Sequence, residues 1–236
     1  DNSNMNLHSA SIKRFALIGG GEFRHSCSEL DLAILSVCNS DSPRIAVVPT
    51  AAANERPELA ANNGIQHFTA LGATAFPIYV LTRKDANDDS MAAQIDNSDV
   101  VYLTGGDPSH LVNVMTGSLF LETIRTHAAR DLVLAGSSAG AMAMGSEMRY
   151  RNESNAFGIV SNTIIIPHHE NRNPEETYGQ VKESTKKGIT IFGIDTSTGI
   201  VSDSVTLSVH GTGRVVAYNS EGWKECLPGQ IIPDYP

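Results

Sequence analysis

The sequence predicts an α/β fold, a mostly parallel sheet with helices on both faces. Two observations carry this. Short β-rich apolar runs recur along the chain, each followed by a longer stretch of helical character. The strands are also apolar almost throughout rather than alternating, as strands covered on both faces must be.

The elements follow in order. Phe15–Ile18 is a strand that runs into Gly19-Gly20-Gly21, and a helix is expected from about Ser28 to Val37. Ile45–Val48 is a second strand ending at Pro49, with a helix from Pro57 to Leu71 that starts on a proline, where its missing N–H costs nothing. Ala75–Val80 is followed by a polar stretch that includes Asp85 to Ser90. Val100–Leu103 ends at Gly105-Gly106, and helical periodicity resumes after Pro108. Leu132–Ala135 ends at Gly136. Ile164–Ile166 and Ile189–Ile194 are further strands, and Val205–Val209 with Val215–Tyr218 are expected to frame a hairpin around Gly211-Thr212-Gly213. No repeat or linker interrupts the pattern, so residues 14–236 read as one domain.

Asp1 to Lys13 reads as a polar leader without the apolar core of a signal peptide. Met5 is taken as the natural start, and residues 1–4 are left out of the fold reasoning. The chain has 236 residues, 41% hydrophobic and 18% charged, which excludes a disordered or coiled-coil protein. Its net charge of −9 and the lack of a basic cluster argue against a nucleic-acid partner. No apolar run approaches the roughly 18 residues needed to span a bilayer, so no membrane partner is expected. Cys27, Cys38 and Cys226 are odd in number and lack metal-ligand spacing, which fits a reducing compartment, the cytoplasm, and no metal. No cofactor is expected either.

In a parallel sheet ligands sit beyond the carboxyl ends of the strands. The polar residues found there are Gly19–Glu22, Thr50, Gly105–Asp107, Gly136–Gly140, His168–His169 and Asp195–Thr196. The first of these lacks the third glycine and the following acidic residue of a dinucleotide fingerprint, and reads as a tight turn. The richest is Gly136-Ser137-Ser138-Ala139-Gly140, where an apolar strand runs into Gly-x-Ser-x-Gly and then into small helix-forming residues. That strand–turn–helix context is what a nucleophile elbow requires, and it places the nucleophile at Ser138. The Ala139 N–H, at the helix start, points to where an oxyanion would form. A serine nucleophile needs a base. Of eight histidines, His168 and His169 follow an apolar strand directly, and since neighbours on an extended chain point opposite ways only one can face the serine. Gly105-Gly106 offers a second N–H for the oxyanion.

Together these residues resemble the peptidase E and cyanophycinase family of serine peptidases. The likeness runs from the Gly19–Phe23 turn to the Gly213–Tyr218 strand and is most specific at Gly136–Ala141, Gly105-Gly106-Asp107 and Pro167-His168. The order agrees too: Ser138 follows Gly106 by 32 residues and His168 follows Ser138 by 30. The resemblance implies a class I glutamine amidotransferase-like three-layer sandwich, with Ser138 as nucleophile and His168 as base. It further implies Gly106 and Ala139 as oxyanion donors, with Arg172 and Asp107 as substrate-binding residues. The expected substrate is a small peptide and the expected assembly a monomer or homodimer.

This chain departs from the family in two places. Gly105-Gly106-Asp107-Pro108 and Ile166-Pro167-His168-His169 replace the cyanophycinase Gly-Gly-Asp-Gln and Asp-Gln-His-Phe, which argues against cyanophycin as substrate. The family's third triad member is a glutamate where this chain has Thr196. Asp195 is the nearest replacement; Thr196 itself with slow turnover, or a more distant carboxylate such as Glu170 or Asp203, are the alternatives. A degenerate member that binds a small molecule or peptide without cleaving it is the competing function. A glutamine amidotransferase needs a cysteine nucleophile, and none of the three cysteines sits at such an elbow.

Overall fold

Five apolar runs form the parallel part of a seven-stranded sheet: β1 (Arg14–Ile18), β2 (Arg44–Val48), β3 (Thr74–Pro77), β4 (Val100–Leu103) and β5 (Val133–Ser137). The computed structural model describes residues 12–151 and 153–233, and the predicted leader lies outside them up to residue 11. The strand order is β3-β2-β4-β5-β1-β8-β9, where β8 (Thr198–Asp203) and β9 (Leu207–Gly211) extend the sheet antiparallel.

Strand residues send successive side chains to opposite faces, and both faces of this sheet are covered. Ala16, Ile18, Ile45, Val47, Val100 and Tyr102 pack with Leu30 and Ile34 of α1 (Ser28–Ser36) and with Phe68 of α2 (Pro57–Ala70). Leu17, Ala46, Val48, Val101, Leu103 and Leu134 face the other way. A short helix, α3 (Asp89–Ala92), precedes β4. That second face packs against α4 (Pro108–Met115), α5 (Leu119–Ala128) and α6 (Ala139–Met144). The result is the predicted α/β architecture, mostly parallel strands flanked by helices. Among the described residues no helix is long and apolar enough to cross a membrane.

A second sheet of four strands, ordered β11-β10-β7-β6, was not anticipated. It comprises β6 (Thr163–Ile166), β7 (Thr190–Ile194), β10 (Val215–Asn219) and β11 (Gly222–Cys226), covered by Val181 of α7 (Pro174–Thr185). The hairpin expected around Gly211-Thr212-Gly213 is corrected here: β9 pairs with β8, whereas β10 pairs with β7 and β11. The glycine-rich turn carries the chain from one sheet to the other. A Cβ on Gly211 would lie 2.2 Å from the Ser197 carbonyl, so the crossing is held tight against the turn that leads into β8. Residues that follow β1, β2, β4 and β5 of the larger sheet and β6 of the smaller line one cleft.

Candidate active site

The chain leaves β5 at Ser137 and enters α6 at Ala139, so Ser138 alone makes the turn. It does so at φ 47° and ψ −103°, a conformation an L-residue adopts only under constraint from its surroundings. The constraint is visible on both sides. A Cβ on Gly136 would lie 2.6 Å from the Gly140 carbonyl carbon, and one on Gly140 would lie 2.4 Å from the Leu103 carbonyl oxygen. The two glycines of Gly-x-Ser-x-Gly thus let α6 start directly against β4 and β5. The Ser138 N–H donates to the Ile18 carbonyl at 2.9 Å, fixing the turn to β1.

His168 follows β6 and is itself at φ 52°. Its Nε2 lies 3.0 Å from Ser138 Oγ. The ring rests on the first glycine turn: a Cβ on Gly20, whose φ is 121°, would fall 2.2 Å from His168 Cε1. The His168 N–H also donates to the Gly19 carbonyl at 2.9 Å. The Gly19–Gly21 turn, read from sequence as a tight turn, is therefore also the floor under the histidine. His169 points away from Ser138, although at φ 52° His168 has already left the extended strand on which the alternation was expected. His169 is fully buried with its Nε2 2.9 Å from the Tyr218 hydroxyl. Burial, reinforced by the charges of Arg172 and Arg214, pushes its imidazole down to about 4.

The partner of the second His168 nitrogen is Thr196, whose Oγ1 lies 3.1 Å from Nδ1. Asp195 does not fill that place. Its carboxylate turns to the other side of the strand end, accepts from the Arg214 N–H at 3.0 Å and lies 3.9 Å from Arg214 Nε. Burial pushes its carboxyl up. Glu170 instead stands behind Thr196: Oε1 accepts from the Thr196 hydroxyl at 2.8 Å and Oε2 from the Thr196 N–H at 3.0 Å. Partial burial works against the charge on Glu170. It is outweighed by the N–H groups of Glu170 and Thr196, the Thr196 hydroxyl and the proximity of His168, and the carboxyl is held below its usual range.

Ser138 and His168 open onto a cleft of about 550 Å³ lined also by Glu22, Glu55, Arg56, Asn63 and Gly106. Among the described residues the Gly106 and Ala139 N–H groups donate no hydrogen bond, and Gly106 lines the cleft beside the serine. Glu22 ties the two turns together, accepting from the Gly105 N–H and from Ser137 Oγ, each at 2.8 Å. Two expected substrate contacts lie elsewhere. Asp107 Oδ1 caps α4, accepting from the Ser109 and His110 N–H groups at 2.9 and 3.3 Å. Arg172 is exposed and does not line the cleft; the arginine that does is Arg56, just before α2. Nothing in the sequence around Arg56 signals this, because α2 reaches the cleft only through the fold.

Comparison with known proteins bears on the family and the fold. The chain is 26% identical over 171 residues to the cyanophycinase of Trichormus variabilis, covering 66% of this chain and 57% of that one. The chain thus spans little more than half the length of that relative. To the cyanophycinase of Geminocystis herdmanii it is 22% identical over 235 residues, covering 93% and 85% of the two chains. The fold is shared with a crystal structure of a peptidase from an acI-B1 actinobacterium, at a TM-score of 0.80, 24% identity and coverage of 95% and 98%. A putative peptidase E protein from Listeria monocytogenes superposes with a TM-score of 0.64 at 15% identity, covering 86% and 100%. The model of peptidase family S51 matches residues 15–209, and the chain belongs to that family.

Proposed function

We propose that the chain is a serine peptidase that cleaves small peptides through an acyl-enzyme on Ser138. The observation that carries the reading is the 3.0 Å contact between Ser138 Oγ and His168 Nε2 at the mouth of the cleft. Ser138 occupies a nucleophile elbow, a strained turn that exposes its hydroxyl and aims the start of α6 at the reacting carbonyl. His168 Nε2 takes the serine proton as Oγ attacks, then returns it to the leaving amine. The N–H groups of Ala139 and Gly106 serve the oxyanion of the tetrahedral intermediate. Water then hydrolyses the ester with His168 again as base.

The cleft is open and bounded by charged side chains, which suits a short peptide better than a folded protein. Arg56 is the cation available there for a substrate carboxylate, the role expected of Arg172. The test is hydrolysis of a panel of dipeptides and tripeptides by the wild type, Ser138→Ala and His168→Ala. Each substitution should lower kcat by at least about 10³-fold, since removal of either group disables the same step. Cleavage by Ser138→Ala at the wild-type rate would end the proposal. A second reading, binding without turnover, is favoured by the uncharged Thr196 beside His168 and predicts saturable peptide binding with no product.

A further inference from the structure

We infer that Thr196 and Glu170 together replace the missing triad carboxylate, with the Thr196 hydroxyl transmitting the preference of Glu170 to the tautomer of His168. The inference rests on the reading of Ser138 and His168 given above. A threonine hydroxyl has one proton to donate. An ionised carboxylate can only accept, so the 2.8 Å contact from Thr196 Oγ1 to Glu170 Oε1 uses that proton. Oγ1 then has only lone pairs to offer His168 Nδ1, 3.1 Å away. Nδ1 must therefore carry the ring proton, which leaves the Nε2 lone pair facing Ser138 Oγ at 3.0 Å. Ser138, His168, Thr196 and Glu170 form one directed chain, each donating to the next.

The backbone fixes that direction. Glu170 Oε2 accepts from the Thr196 N–H at 3.0 Å, so Thr196 offers the carboxylate two donors and the carboxylate meets both. When Ser138 attacks, its proton moves to Nε2 and an imidazolium forms. The charge of Glu170 then opposes the new positive charge through one intervening hydroxyl. No proton leaves His168 for Thr196 or Glu170 in this step. Both are positioning residues, because neither touches the substrate.

An amide at position 170 should reverse the chain. Glutamine has a single acceptor oxygen, and the Thr196 N–H can only donate, so the oxygen turns to that N–H. The amide NH₂ then faces Oγ1, the threonine proton swings toward His168, and Nδ1 becomes the acceptor. The ring is left with its proton on Nε2, where it cannot serve as the base. Inverting a triad tautomer in this way costs up to about 10⁴-fold in kcat.

The deciding experiment is ¹⁵N NMR of the neutral His168 ring in wild type, Glu170→Gln, Glu170→Ala, Thr196→Ser and Thr196→Val, with peptide hydrolysis measured alongside. The wild type and Thr196→Ser should hold the proton on Nδ1, and Glu170→Gln should hold it on Nε2. In turnover, Glu170→Gln should lose more kcat than Glu170→Ala, with KM nearly unchanged. Thr196→Val combined with Glu170→Gln should lose no more than Thr196→Val alone. A wild-type ring protonated on Nε2, or an unchanged tautomer in Glu170→Gln, would overturn the inference. The ring spectra report on the hydrogen-bond chain even if no peptide is cleaved, so failure of the peptidase reading and failure of this one are separate results.

Discussion

Gly20 shows how much of the site depends on an atom that is absent. The residue has a φ of 121°, and a Cβ there would lie 2.2 Å from His168 Cε1. Gly20→Ala therefore strains the backbone and displaces the ring. A misplacement of about 1 Å is worth on the order of 10²-fold in rate, so kcat should fall by that much with the fold retained. Near wild-type kcat in that variant would show that the turn does not position the histidine. Ser138 and His168 were legible because each combines a reactive side chain with a strand end. Thr196 was legible only as a departure, since the carboxylate it contacts, Glu170, lies 26 positions away in the chain. Asp195 misled because it sits one residue from the right place: successive side chains take opposite sides, and its side belongs to Arg214.

At the scale of elements, the end of β6 carries two histidines with opposite duties. His168 faces the cleft, while His169 is buried against Gly193 of β7 and the Tyr218 hydroxyl of β10. Burial and the charges of Arg172 and Arg214 push His169 down to about 4, whereas in the unfolded chain it titrates near 6.5. Between those values the unfolded state holds the extra proton. The stability that His169 contributes is thus full above about pH 6.5 and is lost as the pH falls toward 4. Over that window Tm should fall more steeply in the wild type than in His169→Gln; equal slopes would mean that the buried ring is not a titrating element. The strands of the larger sheet were legible as continuous apolar runs. Thr198–Asp203 was not, because Thr198, Gly199, Ser202 and Asp203 break its apolar pattern. With that strand unseen, Leu207–Gly211 had no visible partner except Val215–Asn219, and the hairpin followed from the omission.

Across the whole molecule, the cleft is where two sheets and the start of α2 meet, and its chemistry is divided among them. The larger sheet carries Ser138 and the turns with the Gly106 and Ala139 N–H groups, the smaller carries His168, Thr196 and Glu170, and Arg56 stands just before α2. Such convergence cannot be seen in a linear pattern, which is why Arg56 was missed. Arg56→Ala should raise KM several-fold for peptides with an acidic side chain and change it little for neutral ones; an equal effect on both would remove Arg56 from substrate recognition. The central claim, that this convergence makes Ser138 a nucleophile, is tested most directly by mass spectrometry after treatment with a fluorophosphonate. A single adduct should appear on the Ser138 peptide of the wild type, be absent from Ser138→Ala and form far more slowly in His168→Ala. An unlabelled Ser138 in the wild type, or equally fast labelling of His168→Ala, would contradict it.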